Sequence, residues 1–359
     1  MRTDFYSCRW PKGHRQFSTS SLVCGTLLLF FCGCLVAGAG AGAGELTSPR
    51  IAPNLPESVI EKDSLTILIT DSGLGGLGAA ARLEANLREG RSYSSVRLVF
   101  ANALADLDYQ YNQMSGPEEK ARVFDAALRG MADAYHPDII LIACNTLSVI
   151  YPLTPFAQDS EIPVVGIVGF GVDMLYHELV ADSQGTGIIL GTATTISQGS
   201  HRDSLLSLGI PADRLTTQAC PVLEGEIQLA PGSDIVRMMI EMYAQEAVSR
   251  LDLSSRDRLY IGLCCTHYGY VRDVFENVFR EVSGVHVTVL DPNDRMGDMF
   301  NSPEINGRFD ATNISVEVAS RVPLTEKEVR SVAALLRPTS PKAADALEQY
   351  TLVPMLFTP

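Results

Sequence analysis

The sequence predicts an α/β protein built from mainly parallel sheets flanked by helices. Three observations carry this. From Ser64 onward, short β-rich apolar runs alternate with longer helical stretches. The runs lack strict in/out alternation, as expected of parallel strands covered by helices on both faces. Three of them end in polar, turn-prone residues, where open parallel sheets place their ligands.

Seven runs are the candidate strands: Leu65 to Thr70, Val96 to Ala101, Asp138 to Ala143, Val164 to Val168, Gly187 to Gly191, Leu259 to Leu263 and Val285 to Leu290. Helical stretches fill the gaps at Gly76 to Leu87, Pro117 to Tyr135, Val172 to Leu179, Ile235 to Leu251 and Val271 to Val282. Pro117 with Glu118 and Glu119 is a strong helix start: the proline loses no needed donor and the acids face the positive end of the dipole. Glu161-Ile162-Pro163 is the expected crossing between two α/β lobes. After Asp310 one helix is expected, opened by Thr325 with Glu328 as a capping box. Pro338, Pro341, Pro354 and Pro359 predict an irregular tail beyond it.

The chain has 359 residues, 46% hydrophobic and 19% charged, enough for one large domain or two modest ones and unlike a disordered or fibrous protein. Its formal net charge is -14, and the first 44 residues are net basic, so the rest is more acidic still. That excludes nucleic acid as a partner and means an anionic ligand must be held by local donors. Residues 1–44 read as a targeting segment: basic residues up to Arg15, an apolar stretch from Leu22 to Ala37, then small residues with Ala41-Gly42-Ala43 as a cleavage site. About sixteen apolar residues are short for a membrane span. The expected location is exported, periplasmic or membrane-anchored if this is a true signal, and cytoplasmic otherwise. Cys34 lacks the aliphatic residue three places earlier that lipoprotein processing favours.

Cys144, Cys220, Cys264 and Cys265 remain for the folded part, too few for a disulfide framework. Asp71-Ser72-Gly73-Leu74-Gly75-Gly76, Cys144-Asn145-Thr146 and Cys265-Thr266-His267-Tyr268 close three of the strands. Gly73-x-Gly75-x-x-Gly78 formally matches a dinucleotide fingerprint, but the next strand ends in Asn102 instead of an acid. A glycine-rich turn offering N–H groups to a carboxylate or phosphate is the simpler expectation. A single buried cysteine is usually inert packing. Two at equivalent strand ends, each at the start of a loop or helix where unpaired N–H groups favour thiolate, point to chemistry. Cys264 points away from its neighbour along an extended strand and is expected to pack. Cys265-x-His267 with scattered cysteines fits no zinc pattern, so no metal is expected. His267, two residues from Cys265, is placed to tune that thiol, whereas His136, His177, His201 and His286 have no comparable setting.

Taken in order, these motifs resemble those of the glutamate racemases, cofactor-independent members of the aspartate/glutamate racemase family. The resemblance runs from about Leu65 to Asp291, with weaker similarity at Pro163-Val164-Val165-Gly166, at Gly191-Thr192-Ala193-Thr194-Thr195 and at Cys220-Pro221. It implies two pseudosymmetric lobes with the site between them: a first lobe over 60–165, a second over 166–285, and 286–359 returning to the first with a C-terminal extension. It implies an amino acid racemase without a cofactor, acting on a small acidic amino acid, glutamate first, in cell-wall peptidoglycan biogenesis, with a homodimer left open. Cys144 and Cys265 would exchange the Cα proton, assisted by Asp71 and His267. Ser72, Gly73, Asn102, Tyr111, Asn145, Thr146, Thr195 and Thr266 would hold the substrate. The chain departs from the family pattern at Asn102, where an aspartate is usual, at Tyr111-Asn112, with Tyr109 as a rival tyrosine, at Gln228 in place of a glutamate, and after Thr195, where a serine is lost before His201. These departures leave an aspartate or broad-specificity racemase or isomerase, or a non-catalytic amino acid binder, as alternatives.

Overall fold

In the computed structural model, which describes residues 51–254 and 256–359, ten strands form two sheets: β1 Ser64–Asp71, β2 Ser95–Asn102, β3 Ile139–Ile142, β4 Val164–Gly166, β5 Thr186–Gly191, β6 Leu215–Ala219, β7 Arg258–Cys264, β8 His286–Leu290, β9 Asn313–Ser320 and β10 Thr351–Leu352. The first has the order β10-β9-β2-β1-β3-β4 and the second β6-β5-β7-β8. Every pairing is parallel. The described residues form a single compact unit containing both sheets. The expected targeting segment lies outside the described residues. Among the described residues no helix is long and apolar enough to cross a membrane.

Both faces of each sheet are buried, which explains the unbroken apolar runs. Ile67 and Ile69 pack into one core and Leu68 into another on the opposite face. In the second sheet Leu259, Ile261 and Leu263 enter one core while Tyr260 and Cys264 enter the other. The same alternation puts Cys265 with Leu263, on the face opposite Cys264. Cys264 therefore packs, as expected.

The helix Pro117–Tyr135 has the bounds expected of it, with Pro117 in its first turn. Thr325 and Glu328 close the capping box at the start of the helix Glu326–Leu336, with Thr325 Oγ1 accepting from Glu328 N at 3.2 Å and Glu328 Oε2 accepting from Thr325 N at 2.9 Å. The tail is more ordered than its prolines suggest. Ser340 caps a helix Pro341–Glu348, in which Pro341 sits in the first turn where its missing N–H costs nothing. Two boundaries also move. The crossing between sheets follows β4 instead of preceding it, because β4 still pairs with β3. Strand β8 pairs with β7, so the second sheet runs to Leu290, past residue 285, and the chain rejoins the first sheet only with β9.

Four strands in each sheet share one local order: β2-β1-β3-β4 matches β6-β5-β7-β8. In each, the chain leaves the first strand of the set to one side and returns on the other, which makes β1/β3 and β5/β7 the topological switch points. Cys144 follows β3 and Cys265 follows β7, so the two thiols occupy equivalent positions in the two lobes.

Candidate active site

A cavity of about 210 Å³ lies between the carboxyl ends of the two sheets. It is smaller than the pockets of about 300–1,000 Å³ that hold drug-sized ligands and suits a small metabolite. Both cysteines line it, together with Asp71, Ser72, Gly73, Tyr111, Asn145, Thr146, Thr266 and His267. Each thiol sits at the N-cap of a short helical turn: Cys144 before Asn145–Ile150, Cys265 before Thr266–Val271. Among the described residues, the four cysteines are free of disulfides and buried.

Two expected substrate contacts do not line the cavity. Asn102 turns back on its own loop, its Oδ1 accepting from Leu104 N at 2.9 Å and its Nδ2 lying 3.4 Å from Ser320 Oγ. It shapes the loop that carries Leu104 and Tyr111 instead of reaching a ligand. Thr195 is buried behind the wall, 3.1 Å from Thr192 Oγ1 and 3.4 Å from Thr146 Oγ1. Thr192 takes its place on the cavity surface. Of the two tyrosines, Tyr111 is buried and donates to Ala103 O at 3.1 Å, while Tyr109 is exposed and bonds Glu119.

The glycine-rich turn works by close approach. An added Cβ at Gly75 would press on Thr266 Oγ1 and lie 2.6 Å from His267 Nδ1, and one at Gly73 would lie 3.0 Å from His267 Cε1. These glycines let the first motif seat directly on the third. The N–H groups expected to face an anion are partly taken: Gly73 N donates to Asp71 Oδ1 at 3.1 Å and Leu74 N to Gln228 Oε1 at 3.0 Å. Asp71, also buried, accepts from Thr266 Oγ1 through Oδ2 at 2.7 Å, so it clasps β1 of one lobe to the turn after β7 of the other. Thr146 Oγ1 and Thr192 Oγ1 make a second clasp at 2.8 Å.

Burial dominates the electrostatics. It pushes the Cys144 thiol up to about 12, with the Asp71 charge adding and the Ser72 contact at 3.2 Å opposing. It raises Cys265 well above an ordinary thiol, with Glu224 adding, and lowers His267. The helix-start N–H groups expected to favour thiolate are outweighed by lost solvation. Holding Cys144 as thiolate at pH 8 costs about 5 kcal/mol at 1.36 kcal/mol per pKa unit. Near neutral pH both groups therefore rest as thiols.

Several cavity residues received no substrate or catalytic role from sequence reasoning. Gln228, Glu224, Asn112 and Glu328 line the cavity. Gln228 Oε1 lies 2.9 Å from His267 Nε2, and its Nε2 donates to Glu328 Oε1 at 2.7 Å. His201, set aside as having no setting of interest, is buried with Nε2 3.1 Å from Asn145 Oδ1. Among the described residues, Asn145 Nδ2 and Glu224 Oε2 are buried without a partner. Buried polar atoms without partners at a cavity wall are groups that a ligand can satisfy. Gln228 and Asn112 carried a signal in the sequence as departures from the family pattern, and Glu328 one only for its helix cap. Among the described residues no three His, Cys, Asp or Glu side chains gather where they could hold a metal ion.

No family model matches the chain. It is 26% identical over 223 residues to the glutamate racemase of Chlorobaculum parvum, spanning 62% of this chain and 74% of that one. It is 27% identical over 221 residues to that of Lactiplantibacillus plantarum, spanning 62% and 72%. The structure resembles a glutamate racemase isoform from Bacillus anthracis with a TM-score of 0.56 at 18% identity, covering 77% of this chain and 94% of that one. It also resembles the glutamate racemase of Francisella tularensis, solved in complex with D-glutamate, with a TM-score of 0.55 at 20% identity and the same coverage. The structural likeness establishes the fold: two parallel sheets flanked by helices.

Proposed function

We propose that this protein is an amino acid racemase that moves the Cα proton of its substrate between Cys144 and Cys265, with glutamate as the first candidate substrate. The observation that carries the reading is the pair of thiols at equivalent switch points of two lobes, both on the wall of one small cavity. Inverting a stereocentre requires removing a proton from one face and delivering one to the other, and a group on each face is the simplest way to do both. A thiol serves as acid in one direction and, once ionised, as base in the other. The names of the relatives support glutamate.

High thiol pKa values suit the acid role and oppose the base role. The substrate's own ammonium brings a positive charge into a cavity whose wall carries Asp71, Glu224 and Glu328, and a thiolate forming beside it regains part of the lost solvation energy. His267, kept neutral by burial, accepts the Cys265 proton across the 3.9 Å Sγ···Nδ1 contact. Asn145 Nδ2 is an available donor for the α-carboxylate, where negative charge grows as the proton leaves.

One observation favours a second reading, a racemase of different side-chain preference. Among the described residues lining the cavity there is no lysine or arginine, while Glu224 presents an unpartnered Oε2. A side chain that donates to Glu224 would be held better than a second carboxylate.

Incubation of the full chain with each L-amino acid in deuterated water, following Cα exchange by NMR and optical rotation, tests both. Exchange with glutamate is expected, and it should vanish in Cys144→Ser and in Cys265→Ser while circular dichroism stays unchanged. Exchange confined to another amino acid would select the second reading. No exchange with any amino acid, or full turnover in either serine variant, would overturn the two-thiol mechanism.

A further inference from the structure

We infer that Gln228 is a positioning residue that locks His267 as the Nε2–H tautomer, so that the bare Nδ1 faces the Cys265 thiol. The inference deepens the proposed racemase and rests on Cys265 being one of its acid/base groups. It starts from an amide whose orientation is over-determined. Gln228 Oε1 accepts from Leu74 N at 3.0 Å, and Gln228 Nε2 donates to Glu328 Oε1 at 2.7 Å. Turning the amide over would set NH2 against the Leu74 N–H and oxygen against a carboxylate, breaking both bonds.

With Oε1 fixed there, the His267 nitrogen 2.9 Å away has a single way to bond it, as a donor. A neutral imidazole carries one proton, so a proton on Nε2 leaves Nδ1 with its lone pair. That lone pair lies 3.9 Å from Cys265 Sγ, within hydrogen-bonding range for sulfur. When the thiol ionises, the S–H bond breaks and an Nδ1–H bond forms. A neutral thiol and imidazole become a thiolate and imidazolium, and no proton is exchanged with solvent. The other tautomer would present Nδ1–H to the sulfur and could not accept.

Glu328 anchors this lock from the other lobe. Its Oε2 is held by Thr325 N and Oγ1, at 2.9 and 2.7 Å, which leaves Oε1 for Gln228. The cap of one helix thereby fixes, through one amide, which nitrogen of a histidine in the facing lobe is protonated. Burial keeps His267 neutral, so a tautomer is what has to be chosen.

The test is the two-bond ¹H–¹⁵N spectrum of the imidazoles in the full chain, with the His267 signals identified by their loss in His267→Gln. The expected spectrum has His267 protonated on Nε2 and bare at Nδ1 in the wild type. In Gln228→Leu the His267 shifts should move toward a tautomer mixture. There kcat should fall about tenfold or more in both directions while KM changes less than about twofold. Nδ1 protonation in the wild type, or an unaltered spectrum and kcat in Gln228→Leu, would overturn the inference. Because the spectrum needs no substrate, it judges Gln228 even if no amino acid is racemised, an outcome that would count against the proposed activity instead.

Discussion

Replacing His201 by glutamine should remove a defined part of the acid sensitivity of the fold. His201 is buried, and burial lowers its pKa from 6.5 to about 4. A histidine whose folded pKa is lowered contributes its full stability above the unfolded value, and the contribution fades as pH falls, because the unfolded chain takes up a proton the folded one refuses. At pH 5 the unfolded side chain is almost fully protonated and the folded one is not. The ratio of binding polynomials then corresponds to about 1.5 pKa units, or about 2 kcal/mol at 1.36 kcal/mol per unit. The introduced glutamine does not titrate, so the stability difference between parent and His201→Gln should shift by about 2 kcal/mol against the parent between pH 8 and pH 5. The assay is urea unfolding followed by helical circular dichroism, because the chain's single tryptophan is Trp10, within the N-terminal segment. Taking the difference between two proteins at each pH cancels every other titrating group. A difference that stays within about 0.5 kcal/mol across that range would refute the idea of a buried neutral histidine behind Asn145.

The same framework predicts the opposite sign at Asp291. Burial raises its carboxyl from 3.8 to about 7, so its contribution is intact below pH 4 and lost as pH rises through 7. Asp291→Asn keeps the cap on Asn293 N and should stabilise the protein by up to about 4 kcal/mol at pH 8 with little change at pH 4, measured by urea midpoints. Gly75→Ala should cost about 1–3 kcal/mol through overpacking against His267, seen as a Tm several degrees lower, and should slow Cα exchange; an unchanged Tm would argue against close approach as the role of this glycine. His201→Leu leaves Asn145 Oδ1 without its donor and should raise KM severalfold more than it lowers kcat, a split read from initial rates.

The two thiols were legible because a strand end followed by polar residues is a local pattern, and the parallel order of the strands does the rest. Asn102 sits at an equivalent strand end, yet its side chain turns toward Leu104 N, a choice that no spacing reveals. Thr195 and Thr192 differ by one turn of a short helix, and only the fold tells which faces the cavity. Strand β6, Leu215–Ala219, went unrecognised because it is an edge with two buried residues among five, too few to leave an apolar run. Strand β9 begins with exposed alternation and buries only its last residues continuously. The capping box at Thr325 was read correctly for its local role. That Glu328 also reaches Gln228, a hundred positions away in the chain, belongs to tertiary structure alone.

The splicing of one sheet into the other has a consequence for how the molecule is made. Strand β2 docks along β9 over Ser95↔Asn313 to Asn102↔Ser320, so its edge stays bare until the second lobe and more have been synthesised. A nascent chain thus carries an open, apolar strand edge for most of its translation, the kind of surface on which copies of a chain stick together. The second sheet, by contrast, closes within its own stretch of sequence and has no need to wait. Both thiols are in place before the first sheet is complete. Glu328 joins the cavity wall last, so the closing event of biosynthesis also finishes the pocket.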